Sequence, residues 1–374
     1  MKIALVHDYL VQYGGAERVL ESFCELFPNA PIYTLVYDED ATHKRFQDRV
    51  IKTSFLQKAP FIKKQHRLFP LLMPIAMEQF DFSRYDVVLS DSSSFAKGII
   101  THADTLHICY MHTPMRYAWD DCQRYTREFH QLKFIKSLVP YFVNGLRMWD
   151  RVSSKRPDKI IANSDFVARR IQKYYRRNSQ VIHPPVEIDS FYTKKDKGYF
   201  LMVGRLISYK RHDIVIDAFN TLGLPLRIIG QGPEEARLKK QARNNITFLG
   251  HVDDKELASQ YASSRAFIFP QEEDFGIVAI EALASGKPIL AFQGGDIVEH
   301  ITHGKEGLFF TEQTAKGVID VVKQFEKHQF NAKEIQAVAK KFDKKLFQEK
   351  IRTYIENSFK EFMEKKKNYI NNNT

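Results

Sequence analysis

Two glutamates eight positions apart, Glu273 and Glu281, bracket the segment Glu273-Asp274-Phe275-Gly276-Ile277-Val278-Ala279-Ile280-Glu281. Before it, Ala266-Phe267-Ile268-Phe269 reads as a strand that Pro270 stops. After it, Gly276 opens a helix that carries Ile277, Ile280, Glu281 and Ala284 and ends at Ser285-Gly286. One carboxylate therefore stands in a strand-to-helix loop and the other inside the helix. Ionised carboxylates accept hydrogen bonds from hydroxyls. Between them, the amides around Gly276, Ile277 and Val278 lie at a helix start. There the first-turn donors lack intrahelical acceptors, and the macrodipole adds partial positive charge. Acceptors for hydroxyls beside donors for phosphate suit a sugar nucleotide.

Val203-Gly204-Arg205-Leu206-Ile207-Ser208-Tyr209-Lys210-Arg211 has the same layout, following a predicted strand and preceding a predicted helix over 212–221. A guanidinium forks onto two oxygens and a lysine supplies a point charge, so Arg205 and Lys210 together suit a leaving pyrophosphate. A Gly-Arg dipeptide alone reads as a solvated basic loop; beside the glutamate pair, the phosphate reading takes precedence. In a parallel α/β sheet, ligands bind at the carboxyl ends of the strands, which is where both segments fall.

Two segments of the first half share that placement. Asp8-Tyr9-Leu10-Val11-Gln12-Tyr13-Gly14-Gly15 leads from the first strand into a helix over 16–26, and Gly14 and Gly15 allow a ligand close to the backbone. A tight turn needs the same glycines. They do not match the dinucleotide fingerprint of three spaced glycines, and neither does Gly230-Gln231-Gly232. His112, in Tyr110-Met111-His112-Thr113-Pro114-Met115-Arg116-Tyr117-Ala118-Trp119-Asp120-Asp121, stands just past a predicted strand beside a proline turn. It reads equally as a ligand-facing imidazole and as a hydrogen-bonded structural one.

Several other chemistries are excluded. His102, His107 and His112 lack zinc-ligand spacing. Asp274-Phe275-Gly276 spells a kinase metal motif, but the glycine-rich loop, strand lysine and catalytic His-Arg-Asp segment are absent. No Gly-x-Ser-x-Gly elbow occurs. Asp38-Glu39-Asp40 reads as a solvated acidic turn.

The elements that hold these residues are short apolar runs alternating with helical patterns. Residues 2–6, 32–36, 86–90, 106–110 and 159–162 read as strands, and the pattern restarts with 199–203, 226–229, 246–249, 266–269 and 288–291. Continuous apolar runs predict parallel strands buried on both faces, hence two doubly wound α/β units. His183-Pro184-Pro185 blocks helix formation, which places an interdomain linker at 183–196 between domains over 1–182 and 197–344. From 344 to 368, Phe347, Ile351, Tyr354, Ile355, Phe359 and Phe362 recur at helical spacing, one apolar stripe on a C-terminal helix.

A chain of 374 residues with 44% hydrophobic content has enough apolar material for two cores. Cys24, Cys109 and Cys122 sit in apolar contexts, fitting a reduced cytoplasm. The start Met1-Lys2-Ile3-Ala4-Leu5-Val6 reads as a strand rather than a leader, and no apolar run is long enough to span a bilayer. Net charge is +11 with pI about 9.3. The cations are dispersed and no compact recognition motif accompanies them, which argues against nucleic acid. Residues 57–77 mix Lys58, Lys63, Lys64 and Arg67 with Phe61, Phe69, Leu71 and Leu72. They read either as an interfacial membrane patch or as a helix pair packed on the first sheet with its cations solvated.

Taken together, the Gly14-Gly15 loop, the Gly204-Arg205 to Lys210 turn, and Glu273 to Glu281 followed by Ala282-Leu283-Ala284-Ser285-Gly286-Lys287-Pro288 resemble the family 4 glycosyltransferases over nearly the whole chain. The resemblance implies the GT-B architecture: two Rossmann-like domains with a cleft between them and a C-terminal helix, from about 345, crossing back onto the first. The segment from His112 to Asp120 looks like that of bacterial mannosyltransferases that build O-antigen and exopolysaccharide repeats on polyprenyl diphosphate. This implies GDP-mannose as donor and a lipid-linked saccharide as acceptor. Related enzymes use UDP-sugars.

By position, Arg205 and Lys210 would hold the diphosphate, with Gly15 and the amides from Gly276 to Val278 assisting. Glu273 would bind donor-sugar hydroxyls and Glu281 the ribose, His112 would lie against the sugar, and the base would fall near Gly250-His251-Val252. Retention without a protein nucleophile fits a front-face route, and no metal is expected. Peripheral contact with the inner face of the cytoplasmic membrane is compatible with this reading. Two readings compete: a nucleotide-sugar epimerase, for which the His-Thr-Pro segment supplies no acid/base carboxylates, and a binding module for nucleic acid or anionic membrane, supported mainly by charge.

Overall fold

The computed structural model describes residues 1–65, 69–120 and 133–373, with side chains left aside at 64–65, 133–139, 370 and 372–373. Asp121 and Cys122, and His66 to Leu68 of the basic-aromatic stretch, lie outside the described residues. The chain forms two compact units, Met1–His183 with Phe347–Thr374, and Pro184–Leu346.

In the first unit the strands are β1 (Ile3–His7), β2 (Ile32–Thr34), β3 (Ile51–Thr53), β4 (Val87–Ser92), β5 (Leu106–Met111), β6 (Lys159–Ala162) and β7 (Gln180–Val181). They make one sheet in the order β3-β2-β1-β4-β5-β6-β7, parallel throughout. Every residue of β4 and β5 is buried, as strands covered on both faces require. β3 and β7 were not predicted. Both are short edge strands without a fully buried run, so periodicity has little to register.

The second unit has β8 (Phe200–Val203), β9 (Leu226–Ile229), β10 (Ile246–Gly250), β11 (Phe267–Phe269), β12 (Ile289–Phe292) and β13 (Gly307–Phe310). Their order is β10-β9-β8-β11-β12-β13, again all parallel. β13, unpredicted, closes one edge. Each sheet has a point where successive strands change direction of addition, between β1 and β4 in one and between β8 and β11 in the other. Loops leaving the carboxyl ends there diverge and open a crevice.

The segment 183–196 is tied to the second unit from Pro184 onward. Val186 is buried in that unit's core and its amide donates to the Phe342 carbonyl at 2.9 Å, while Thr193 Oγ1 donates to the Ser285 carbonyl at 3.0 Å. The C-terminal helix Lys344–Asn373 lays Phe347, Ile351 and Ile355 into the core of the first unit, where Phe347 stacks on Phe23 and meets Tyr110 edge-on. Residues 57–77 include a short helix Ile62–Gln65 and a helix Met73–Glu78; Ile62, Met73, Ala76 and Met77 are buried, while Phe61, Leu71, Leu72 and Ile75 are exposed.

Candidate active site

In the second unit, β8 ends at Val203 and the chain turns at Gly204, runs through the turn Ser208–Lys210 and enters the helix His212–Leu222. The neighbouring β11 ends at Phe269, followed by the loop to Gly276 and the helix Ile277–Ala284. The two loops thus flank the switch point of this sheet. Lys210 Nζ and Glu273 Oε1 meet across it as a largely buried ion pair. The structure brings the two sequence-predicted residues into direct contact.

Glycines set the approach of these loops. A Cβ on Gly230 would lie 2.0 Å from the Gly204 carbonyl oxygen, and one on Gly232 would lie 2.3 Å from that of Leu206. The Leu206 amide donates to the Gln231 carbonyl at 2.9 Å. Gly230-Gln231-Gly232, unremarkable as a nucleotide fingerprint, is therefore the backbone brace under the Arg205 turn. Gly276 is required because its α-carbon passes the Phe269 ring, which a Cβ would meet at 2.6 Å.

The helix start at Gly276 is partly satisfied from within, which corrects the picture of wholly unpartnered amides. Ile277 donates to the Phe275 carbonyl at 3.2 Å and Ala279 to that of Gly276 at 2.8 Å. Beneath the loop, the Asp296 amide donates to the Glu273 carbonyl at 3.1 Å and His300 Nε2 meets Asp296 Oδ2 at 2.8 Å. Burial, then the Glu273 and Asp274 charges, push the Asp296 carboxyl well above the usual carboxylate range, against the pull of the Gly276 and Asp296 amides. Phe275 lies edge-on to His300 and Phe342, anchoring the loop on the core.

Glu281 is buried within its helix, with Oε2 2.9 Å from the Tyr261 hydroxyl, which is also 3.0 Å from the Val278 carbonyl. Arg205 and His251 are exposed, and Val252 packs on the core just past β10. Tyr261, Asp296 and His300 were missed by sequence reasoning. They come from a later turn and a helix interior, where nothing local distinguishes them.

In the first unit, His112 follows β5 and its Nε2 lies 2.5 Å from Oδ1 of Asp91, in the carboxyl end of β4. Asp91 Oδ2 is 2.8 Å from His7 Nδ1, at the end of β1. His7 and Asp91 sit opposite each other on adjacent strands, so they straddle the switch point of this sheet. Burial opposes a charge on His7, but hydrogen bonds and charges from Asp91 and Glu17 outweigh it and push the imidazole up to about 10. Burial likewise works against the Asp91 charge, yet His112 and His7 hold its carboxyl below the ordinary value.

Glu17, one turn into the helix Gly15–Leu26, has Oε1 3.7 Å from His7 Nε2 and accepts from the Gly14 amide at 2.8 Å through Oε2. Gly14 is therefore bound into the same network, and Gly15 is exposed at the helix start. His7 and Asp91 did have a sequence signal: polar residues at the carboxyl ends of otherwise apolar strands, Val6-His7-Asp8 and Leu89-Ser90-Asp91-Ser92.

The family profile "Glycosyltransferase Family 4" matches residues 13–190, and "Glycosyl transferases group 1" matches 186–342. The D-rhamnosyltransferase WbpZ of Pseudomonas aeruginosa is 30% identical over 196 residues, 47% of this chain and 49% of the relative. A GDP-mannose-dependent alpha-(1-6)-phosphatidylinositol monomannoside mannosyltransferase of Mycobacterium tuberculosis is 29% identical over 154 residues, 36% of this chain and 40% of the relative. The chain spans about half the length of the curated relatives it matches. The crystal structure of HepE from Anabaena, solved in complex with UDP, superposes with a TM-score of 0.71 at 18% identity over 96% of this chain and 100% of that one. With both units matched in order by these profiles and the fold shared end to end, the chain belongs to the family 4 glycosyltransferases and has the GT-B fold of two Rossmann-like units.

Proposed function

We propose that this chain is a retaining hexosyltransferase that moves mannose from GDP-mannose to a saccharide acceptor, one carried on polyprenyl diphosphate, in surface polysaccharide synthesis at the inner face of the cytoplasmic membrane. The observation that carries the transferase reading is the Lys210–Glu273 pair at the switch point of the second sheet, beside Arg205 and a helix start. A cation and a carboxylate held together there suit a diphosphate and the hydroxyls of the sugar attached to it. The mannose and GDP part rests on the His112 to Asp120 resemblance and on the M. tuberculosis relative.

In the reaction proposed, the acceptor hydroxyl oxygen bonds to the anomeric carbon on the face from which the phosphate oxygen leaves. That leaving oxygen takes the hydroxyl proton. Negative charge grows on the diphosphate, and stabilisation of developing charge by preplaced donors is the main lever available. Arg205 and Lys210 supply it, with the Gly14-Gly15 loop and the amides from Gly276 to Val278 assisting. Glu273 accepts from the sugar hydroxyls, Glu281 from the ribose, His112 lies against the sugar, and the base is held near His251 and Val252. No metal takes part, and EDTA is expected to leave turnover unchanged.

Transfer and donor hydrolysis measured across GDP-mannose, GDP-fucose, UDP-glucose and UDP-N-acetylglucosamine test the proposal, with activity expected on GDP-mannose. Inactivity with every GDP-sugar would remove the mannose claim. The second reading, a UDP-sugar donor, is favoured by the neighbour solved with UDP, and the same panel separates it. NMR of donor incubated without acceptor distinguishes an epimerase, which would change the sugar itself.

A further inference from the structure

The polar chain at the end of the first sheet runs from Gly14 through Glu17, His7 and Asp91 to His112, and all but its two ends are buried. Four elements contribute to it: the helix Gly15–Leu26, β1, β4 and the residue after β5. Burying two carboxylates and an imidazole among apolar strands is costly unless each is paired. Here each is paired, and the pairing ends on a partly exposed imidazole.

We infer that Asp91 and His7 are positioning residues for His112: Asp91 holds the ring through Nε2 so that Nδ1 is presented to ligand, and His7 holds Asp91 in place as an anion. An ionised carboxylate only accepts hydrogen bonds, so the 2.5 Å contact requires the proton of His112 to sit on Nε2. Nδ1 of the neutral ring is then the acceptor. On the other side, His7 with both nitrogens protonated donates to Asp91 and faces Glu17, so Asp91 keeps its charge although buried. The Tyr110 ring stands edge-on to His112 at 5.3 Å, limiting how far the imidazole can swing. This inference rests on the reading that His112 touches the transferred sugar. It adds which nitrogen does so and what enforces that choice.

Asp91→Asn is the informative change, because an amide must donate from one edge. Facing His112, that edge inverts the tautomer; facing His7, it takes away the Nδ1 proton. The full chain labelled with ¹⁵N-histidine, read by long-range ¹H–¹⁵N spectra with His112 assigned by its loss in His112→Gln, shows which occurs. In the wild type, neutral His112 is expected to carry hydrogen on Nε2, and His7 to remain doubly protonated at pH 8. Asp91→Asn is expected to alter one of these and to lower kcat about 100-fold, as misplacement of a reacting group does, with donor KM within threefold of wild type. His7→Gln, which can still donate to Asp91, should retain more turnover than His7→Leu.

Hydrogen on Nδ1 of wild-type His112, unchanged spectra in Asp91→Asn, or turnover of Asp91→Asn within threefold of wild type would overturn the inference. Should Asp91→Asn not fold, the wild-type spectrum decides alone. Failure of wild type to transfer any sugar would instead refute the transferase reading, and the spectra would still report on the chain.

Discussion

Lys210 and Glu273 show what residue identity can and cannot announce. A lysine after one strand and a glutamate after another were each recognisable as candidate binding groups, but their ion pair arises only because β8 and β11 are neighbours. Lys210→Ala and Glu273→Ala are each expected to lower turnover by at least about 100-fold, the scale of losing one preplaced charge stabiliser, with circular dichroism unchanged. Near-normal turnover of either variant would refute the assignment. His107 is a different residue-scale case. It is fully buried, its Nε2 lies 2.8 Å from Ser90 Oγ, and burial, then Arg156 and Arg177, lower it from 6.5 to about 3. As pH falls from 6.5 toward 3, the unfolded chain takes up a proton that folded His107 refuses, so its stability contribution is present above 6.5 and lost on acidification. The gap between wild type and His107→Gln in the unfolding free energy obtained from urea titrations should narrow through that window, by at most about 1.4 kcal/mol per pH unit. A gap that stays constant would mean that His107 does not titrate this way.

Among elements, the continuous apolar strands were legible because burial on both faces leaves an unbroken run of nonpolar letters, as in β8, β11 and β12. β3 and β7 were not, since these edge strands need only enough pairing to extend the ladder and show no such run, whereas β13 is a short nonpolar run, Gly307-Leu308-Phe309-Phe310, that went unread. The apolar stripe of the C-terminal helix was legible too, and its register decides what it covers: Phe347 meets Phe23 and Tyr110, and Tyr110 touches His112. Phe347→Ala is expected to destabilise the first unit by about 3–5 kcal/mol, the range for emptying a buried aromatic position. Differential scanning calorimetry should show one transition lowered and the transition of the second unit in place. An unshifted thermogram would mean that the helix contributes no packing energy there.

At the scale of the whole molecule, a net charge of +11 and the exposed Phe61, Leu71, Leu72 and Ile75 bear on where the protein works. Among the described residues no helix is long and apolar enough to cross a membrane. Cosedimentation is expected with vesicles containing anionic lipid and not with neutral ones, weakened by salt because exposed charges are screened, and weakened by Phe61→Ser with Ile75→Ser. Equal binding to both vesicle types would argue against electrostatic docking. The sequence by itself determined two α/β units, their parallel strands, the loops that hold the candidate site residues and the family. Each of these depends on local pattern: buried runs, glycines at turns, charges at strand ends. Only the tertiary structure decided that Lys210 meets Glu273, that Asp91 joins His7 to His112 over 84 and 21 positions of chain, and that Asp296 underlies the Glu273 loop. Those contacts follow from strand order, and strand order is set by which helices cover which faces of each sheet, an outcome of packing over the whole unit that no local stretch of sequence encodes.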